Sequence, residues 1–251
     1  MLERNGMGQS LIVEDRGGGV RIIRMNRPDK LNALNTELTQ ALLDALVEAD
    51  TASEVRAVVL AGEGRGFCAG ADLSEFKDLT PEHQHRVLER ADLTCRLQSQ
   101  LQRLSKPIVS AVQGAAVGGG AGLAISCDMM VAGSDLKFGY PELKHGIVPA
   151  LVMTGLQRQL GRKAAFEMIS LGRLIGAEEA KALGLVNRIA APEAVVDAAL
   201  EIAEAWAKAS PMAMAATKSL FYRVADLPFD AAMAAGRDIN ALMRGFRERE
   251  E

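Results

Sequence analysis

The segment from 113 to 128, QGAAVGGGAGLAISCD, constrains the fold of this chain more than any other stretch. The apolar, β-branched residues 108–112 before it predict a buried strand, and the apolar residues after it predict a helix over 122–127. Glycines at such a junction let a neighbour approach the backbone closely, and the N–H groups of a helix start carry partial positive charge. The segment therefore predicts either tight packing of the helix on the strand or a backbone site for a polarised ligand.

The order of strand, glycine-containing loop and helix occurs several times before about residue 189. Extended segments are predicted over 20–25, 55–60, 108–112, 129–132 and 137–140. Helices are predicted from an N-cap at Thr36, from Ala71 or Asp72, over 81–104, over 122–127 and from Pro141. Together these elements predict an α/β core over 1–191.

The strand signals stop beyond Pro192. Three alanine-rich amphipathic stretches follow, and they predict helices over 194–209, 211–224 and 228–243. We therefore expect a helical C-terminal region over 192–251.

The composition is that of a globular protein, with 49% hydrophobic residues in a chain of 251 and a formal net charge of -3. Because Lys and Arg are scattered, nucleic acid is not expected as a partner. The three cysteines are far apart and the three histidines lack metal-ligand spacing with them, which predicts a reducing compartment and no metal site. The start of the chain has no signal-peptide pattern, and no apolar run reaches about 18 residues, so we expect no membrane partner and a cytoplasmic location, or a matrix location after removal of a transit peptide.

The glycines do not match the known nucleotide-binding motifs. Gly118, Gly120 and Gly122 miss the G-x-G-x-x-G spacing of a dinucleotide site, because Leu123 occupies the place of the last glycine. No Gly-Lys-Ser/Thr follows any of the glycine loops, and the nucleophile motif G-x-S-x-G is absent. A phosphate loop, a dinucleotide site and a serine hydrolase site are therefore excluded.

A second loop, 67–72, is similar to 117–120 in following a buried strand and preceding a predicted helix. One backbone N–H from each loop could point at the same oxygen atom and form an oxyanion hole. Each donor that faces developing negative charge stabilises a transition state by roughly 3–4 kcal/mol. The alternative, in which the glycines only permit close packing, stays open at this point.

Motifs spread over the chain resemble those of the enoyl-CoA hydratase/isomerase (crotonase) superfamily. They are NRPDKLNAL at 26–34, the two glycine loops at 67–72 and 117–120, FGYPEL at 138–143, and LGRLIGAEEAKALGLV at 171–186. The resemblance implies a crotonase-like α/β spiral of repeated strand–strand–helix turns. It also implies that the C-terminal helices form a trimerisation region, so that a homotrimer or a hexamer is expected.

The same resemblance implies an acyl-CoA thioester as substrate, so coenzyme A enters as part of the substrate and no separate cofactor is expected. It assigns the oxyanion hole to the backbone N–H groups of Ala71 and Gly119, and proton transfer to Glu142. The residues that it places along the CoA moiety are Arg27, Ala33, Ala69, Asp72 and Leu73.

The sequence departs from the family pattern at a catalytic position. Glu142 matches one of the two glutamates of typical hydratases, but the other glutamate falls on Gly122, which cannot transfer a proton. Residues 150–154 are also bulkier than the glycine-rich run that is typical there, which predicts an apolar acyl pocket. The neighbours expected to desolvate Glu142 and raise its pKa are Phe138, Tyr140, Leu143 and Ile147.

Three functions follow as alternatives. The first is a hydratase-type lyase with Glu142 as the only proton-transfer group. General acid–base help is worth about 10² to 10⁴ in rate, so the loss of one of two groups need not abolish hydration. The second is an enoyl-CoA isomerase, in which one carboxylate moves a proton between C2 and C4. The third, motivated by Gly122, is an acyl-CoA-binding protein without catalysis.

Two reactive side chains near these motifs receive structural interpretations. Cys68 lies beside the first glycine loop, but it has no matched histidine, so we expect a small buried packing residue. Asp128 follows the apolar helix and is interpreted as an anchor of the chain turn, not as a catalytic group.

Overall fold

The computed structural model describes residues 10–77 and 79–244, which form helices and two β-sheets. The strands are β1 Leu11–Arg16, β2 Val20–Met25, β3 Ala57–Gly62, β4 Ile108–Val112, β5 Ala115–Val117, β6 Met129–Gly133, β7 Lys137–Gly139, β8 Leu174–Ile175 and β9 Arg188–Ala190. The helices are α1 Thr36–Thr51, α2 Gln84–Arg103, α3 Gly119–Ser126, α4 Val152–Leu160, α5 Arg162–Leu171, α6 Ala177–Ala182, α7 Val195–Ala207, α8 Pro211–Val224 and α9 Phe229–Arg244. The predicted α/β class is confirmed. The outer ends of the two predicted regions, 1–9 and 245–251, lie outside the described residues.

The large sheet has six strands in the order β1–β2–β3–β4–β6–β9. β1 pairs antiparallel with β2, and the other neighbours are parallel. The small sheet has three strands in the order β5–β7–β8. Parallel strands need long connections between them, which here run through the small sheet and the helices.

The chain alternates between the two sheets as it advances. After β4 in the large sheet it forms β5 in the small sheet and then α3. After β6 it forms β7 and then a 3-10 helix at Glu142–His145. These are the expected strand–strand–helix turns, and because β5 and β7 are parallel neighbours, the segments that follow them emerge side by side.

Side chains of the large sheet alternate between two separate cores. Ile23 of β2 and Leu60 of β3 belong to the core under α1, α2 and α3. Ile22 and Val59, each one residue away, pack instead with Ile202 of α7 on the opposite face. This period of two is typical of strands that are buried on both faces. α7 therefore closes the second face of the sheet.

The start of the chain and the first helix differ from the sequence predictions. β1 is not among the predicted strands, because the charged residues at its end read as a polar segment and only pairing with β2 makes it extended. The N-cap of α1 is Asn35 and not Thr36, since the Asn35 side chain accepts a hydrogen bond from the Leu38 N–H at 2.9 Å.

Two predicted helix starts give only short 3-10 helices. No α-helix begins at Ala71 or Asp72, and the turn that follows is the 3-10 helix Leu73–Lys77. The helix expected from Pro141 ends after Glu142–His145, because Gly146 adopts a left-handed conformation with φ +69°.

Asp128 binds the start of β4, in agreement with its interpretation as an anchor of the chain turn, and it also anchors α8, which the sequence does not predict. One carboxylate oxygen accepts hydrogen bonds from the Ile108 N–H at 2.7 Å and from Lys218 Nζ at 2.8 Å. The other accepts from the Tyr222 hydroxyl at 2.8 Å. Lys218 is only 5% exposed, and it also donates to two carbonyl oxygens at 3.0 Å. A buried ion pair therefore joins α8 to the start of β4.

The last described helix has no buried residue, and large apolar side chains of α8 and α9 are exposed. Phe221 is 67% exposed and Phe229 is 78% exposed. The predicted trimerisation region stays a prediction, because the structure holds a single chain. Within 10–77 and 79–244, no helix is both long enough and apolar enough to cross a membrane.

We predict that Lys218→Met lowers the free energy of unfolding by about 3–5 kcal/mol, because it leaves the Asp128 carboxylate buried without its cation. Tyr222→Phe removes one hydrogen bond to a charged group and should cost about 1.5–3 kcal/mol. The matched control is Lys208→Met on an exposed position, which should change stability by less than about 0.5 kcal/mol. Urea unfolding measures all three, and equal effects of the two lysine variants would contradict the anchor.

Candidate active site

Two loops meet at the edge of the small sheet. The loop 67–71 runs beside β5, where the Cys68 N–H donates to Ala115 O at 2.9 Å and the Val117 N–H donates to Cys68 O at 3.0 Å. On its other side the Leu34 N–H donates to Gly70 O at 2.7 Å. The loop is therefore held like an extra strand between β5 and the segment before α1.

Within the described residues, the backbone N–H groups of Ala71 and Gly119 donate to no protein oxygen. Ala71 forms a parallel bridge with Leu34 in which Gly70 O and the Asp72 N–H make the hydrogen bonds, so the Ala71 N–H points away from Leu34. A Cβ built on Gly119 would lie 3.9 Å from the Ala71 nitrogen. The two predicted donors are thus close together and unpaired.

Glycines at the junction are required for this approach. Gly70 has φ +92°, and a Cβ built on it would lie 2.7 Å from Val117 O and 3.4 Å from the Gly119 nitrogen. A Cβ on Gly120 would collide with the Cys68 carbonyl group. Gly70 and Gly120 therefore permit close packing, and Gly119 presents a free N–H at the start of α3, while the predicted oxyanion hole stays a prediction.

Glu142 lies directly against the start of α3. Its Oε1 would be 2.7 Å from a Cβ built on Gly118, and the Gly118 N–H donates to Gly139 O at 2.8 Å. Glu142 Oε2 is buried and has no hydrogen-bond partner among the described residues. Burial raises the pKa of the Glu142 carboxyl, while a backbone hydrogen bond and His145 oppose that shift. The carboxylate is thus a candidate base beside the free N–H groups.

The side chains predicted to desolvate Glu142 differ in their burial. Phe138 and Tyr140 are completely buried, with their rings edge-to-face and their centroids 5.7 Å apart. Burial, and then the charge of Glu142, raise the pKa of Tyr140 well above its ordinary value. Leu143, in contrast, is exposed, because the 3-10 helix turns its side chain outward.

The residues predicted to lie along CoA form a connected rim next to Ala71. Arg27 donates to the carbonyl oxygen of Ala33 and, at 2.8 Å, to Asp72 Oδ2. Hydrogen bonds from Ser74, together with Arg27, lower the pKa of Asp72 to about 2. The Ala69 N–H donates to Leu31 O at 2.9 Å. The structure therefore brings these predicted residues together, and it leaves the Leu73 side chain exposed.

Asn32 holds this rim in place, and its role is not apparent from the sequence. It is fully buried with φ +54°, and its side-chain N–H groups donate to Glu63 O and Gly66 O at 2.9 Å. Its Oδ1 accepts from the Arg27 N–H at 2.8 Å. The sequence signals are its place in the motif 26–34 and its residue type, since asparagine tolerates a left-handed conformation in a turn.

Cys68 is a packing residue, as expected from the sequence. It is completely buried, its Sγ donates to Asn32 O at 3.2 Å, and burial raises the pKa of its thiol to about 12. A thiol that stays protonated is a poor nucleophile. Among the described residues, no group of three or more His, Cys, Asp or Glu side chains is arranged to hold a metal ion.

Side chains from two other helices occupy the space that a side chain at Gly122 would enter. A Cβ built on Gly122 would lie 2.6 Å from Gln98 Oε1 and 2.7 Å from Val152 Cγ1. Val152 is buried and belongs to the segment 150–154 that is expected to form an apolar wall. Gln98 comes from α2, and its position near this site carries no signal in the sequence.

Comparisons with known proteins agree with the geometry. A model of the enoyl-CoA hydratase/isomerase family matches residues 15–245. The 2,3-dehydroadipyl-CoA hydratase of Escherichia coli is 34% identical over 245 residues, which cover 96% of this chain and 93% of that protein. The short-chain-enoyl-CoA hydratase of Clostridium acetobutylicum is 35% identical over 225 residues, which cover 89% of this chain and 85% of that protein.

Solved structures show the same similarity in three dimensions. The enoyl-CoA hydratase of Mycobacterium smegmatis superposes with a TM-score of 0.88 at 33% identity, covering 93% of this chain and 90% of that chain. The enoyl-CoA hydratase of Bacillus anthracis superposes with a TM-score of 0.90 at 28% identity, covering 96% and 93%. The predicted crotonase-type fold is thereby confirmed.

We predict that Gly118→Ala destabilises the protein by more than about 1 kcal/mol, because Gly118 has φ +55° and a methyl group there would press on Glu142 Oε1. Gly155→Ala on α4 is the matched control, since a Cβ there meets only one atom, at 4.0 Å. It should raise stability by about 0.5–1 kcal/mol. Urea unfolding compares them, and a Gly118→Ala protein as stable as wild type would contradict the contact with Glu142.

Proposed function

The chain belongs to the enoyl-CoA hydratase/isomerase family, and we propose that it adds water across the double bond of a 2-enoyl-CoA thioester. The observation that carries this proposal is the placement of two unpaired backbone N–H groups, those of Ala71 and Gly119, beside the half-buried Glu142, whose Oε2 atom is buried. The arrangement offers two donors for one oxygen atom and a base next to them.

The N–H groups of Ala71 and Gly119 are proposed to donate to the thioester carbonyl oxygen. As electron density moves from the C2–C3 double bond toward that oxygen, C3 becomes electrophilic and the oxygen gains negative charge. Donors fixed in the backbone stabilise this charge without reorganising, and each is worth roughly 3–4 kcal/mol. The position of Gly119 at the start of α3 adds the positive end of a helix dipole.

Glu142 is proposed to act first as base and then as acid. Its carboxylate takes a proton from water as the oxygen–C3 bond forms, which produces an enolate thioester. The protonated carboxyl then gives a proton to C2, so that Glu142 ends in its original state and the product is a 3-hydroxyacyl-CoA thioester. A raised pKa suits this cycle, because a group that must both accept and return a proton works best with a pKa near the operating pH.

The CoA moiety is proposed to lie along the rim of Arg27, Ala33, Ala69, Asp72 and Leu73. Arg27 and Asp72 are already paired with each other, so their role is to fix the backbone of the rim and not to supply a free charge. The exposed Leu73 offers an apolar surface at the same place. No separate cofactor is proposed, because the thioester itself supplies the carbonyl group that is activated.

Double-bond isomerisation is the second candidate function. The observation that favours it is Gly122, which leaves Glu142 as the carboxylate that approaches the start of α3 in the described structure. One carboxylate can remove a proton from C2 and return it to C4, and this cycle needs no water.

One assay in deuterated water separates the two reactions. With 2-enoyl-CoA we expect a 3-hydroxyacyl-CoA that carries one deuterium at C2, detected by mass spectrometry. With 3-enoyl-CoA in the same solvent, an isomerase would instead give the conjugated 2-enoyl-CoA without a hydroxylated product. Binding of the thioester without any turnover would overturn both reactions and indicate a non-catalytic binding protein.

The matched variant for this assay is Glu142→Gln. It keeps the shape of the side chain but removes the base, so we expect at least a 100-fold decrease in kcat. Its melting temperature at pH 7 should not fall, because a charged group with one buried, unpaired oxygen is replaced by a neutral group. Full activity of this variant would overturn the role given to Glu142.

The raised pKa of Glu142 also predicts a pH dependence. Since the base must be ionised, kcat/KM falls as the pH decreases through that pKa. The midpoint of this fall should lie at a pH above about 4.3, the ordinary pKa of Glu. The effect on stability has the opposite sign. The pKa of Glu142 is higher in the folded protein than in the unfolded chain, so ionised Glu142 lowers the free energy of unfolding at high pH. This destabilisation disappears as the pH falls toward the ordinary pKa of Glu. A rate profile that is flat down to pH 4 would contradict the shift.

A further inference from the structure

Gln98 lies in the second half of α2, and its carboxamide covers Gly122. A Cβ built on Gly122 would lie 2.6 Å from Gln98 Oε1 and 2.7 Å from Gln98 Nε2. Any side chain at 122 would therefore displace this carboxamide. The absence of a side chain at Gly122 is what admits a polar group from a different helix to the surface of α3.

The Gln98 side chain is held by one hydrogen bond to the proposed oxyanion hole. Its Nε2 donates to the carbonyl oxygen of Gly119 at 3.3 Å, and the same residue supplies one of the two free N–H groups. Within the described part of the chain, no group donates to Gln98 Oε1. One end of the carboxamide is thus fixed and the other end is an unused acceptor.

Gln98 and Glu142 approach α3 one helical turn apart. The Gly122 N–H donates to Gly118 O at 2.9 Å, so these two glycines are separated by about one helical pitch of 5.4 Å. Glu142 Oε1 lies against the first glycine and Gln98 Oε1 against the second. The two oxygen atoms thus face positions one helical turn apart, and a water molecule with two hydrogen bonds of about 2.8 Å can connect oxygen atoms up to about 5.6 Å apart.

We propose that Gln98 is the second polar group of the active site and holds the attacking water against Glu142. One water O–H donates to Gln98 Oε1 and the other to Glu142, which leaves an oxygen lone pair to attack C3. The inference rests on the proposed hydration. Glu142 alone takes and returns the proton, and Gln98 neither gains nor loses one.

A neutral amide suits this position better than a second carboxylate in one respect. Two carboxylates at this separation would raise the pKa of one of them and titrate as a coupled pair. An amide presents an acceptor oxygen to water without that repulsion, so Glu142 should be the only group that titrates in the acid limb. The Nε2 of the amide also donates to the Gly119 carbonyl oxygen. This hydrogen bond helps to fix the direction of the Gly119 N–H.

The test uses the full chain with Gln98→Leu, Gln98→Glu and, as a matched control, Gln102→Leu. Gln102 lies four residues further along α2 and is exposed, so its replacement should leave kinetics and stability unchanged. For Gln98→Leu we expect kcat for hydration of 2-enoyl-CoA to fall about 10- to 100-fold while KM changes less than about threefold. An unchanged melting temperature shows that the fold is intact.

Gln98→Glu distinguishes a role in water positioning from a role in packing. This variant keeps an acceptor oxygen, so its kcat should be at least about a third of the wild-type kcat. The introduced carboxyl should add a second ionisation, besides that of Glu142, to the pH profile of kcat. Recovery without a second ionisation would place the side chain away from the reacting water and overturn the proposal. So would wild-type kcat in Gln98→Leu, or a loss that appears only in KM.

Failure of the proposed function would look different from failure of this inference. If wild-type protein hydrates no 2-enoyl-CoA, the proposed function fails before any variant is compared. If wild type hydrates the substrate and Glu142→Gln does not, but Gln98→Leu is fully active, only the role of Gln98 is overturned.

Discussion

The pairing of the loop 67–71 with β5 is the constraint on which the rest of the site depends. Two hydrogen bonds, from the Cys68 N–H to Ala115 O and from the Val117 N–H to Cys68 O, bring together segments that are nearly 50 residues apart in the chain. Because β5 leads directly into α3, this pairing also fixes the start of that helix against Ala71. β7, parallel to β5, then delivers Glu142 to the same point. Main-chain pairing thus brings two unpaired donors and a carboxylate to one point.

Much of the fold and the site could be predicted from the sequence, and the failures have a common physical origin. Buried strands and long helices follow from local apolar patterns, whereas the choice of Ala71, Gly119 and Glu142 as site residues comes from the resemblance of their motifs to the family. β1 could not be predicted, because its conformation depends on pairing with β2. The approach of Gln98 to Gly122 depends on how α2 packs on α3, which no local pattern encodes. Contacts between distant segments are therefore where the sequence alone is insufficient.

The site contains polar groups that the folded chain leaves unsatisfied. Glu142 Oε2 and the Tyr140 hydroxyl are buried without partners among the described residues, and burial raises the pKa of both groups. An unpaired buried polar group costs roughly 1–3 kcal/mol. This cost is consistent with a site whose polar groups find their partners in a substrate. The buried ion pair of Asp128 with Lys218, in contrast, is fully hydrogen-bonded and lies away from the free N–H groups.

The donors at Ala71 and Gly119 belong to the main chain, and this has an evolutionary consequence. A substitution at 71 changes a side chain but leaves its N–H in place, so in the proposed mechanism the groups that polarise the carbonyl are insensitive to most point mutations. The proton-handling half consists of side chains at a few positions around α3, where a glycine can be exchanged for a group from a neighbouring helix. One scaffold can therefore acquire new reactions by changing very few residues while the activation of the carbonyl group is retained.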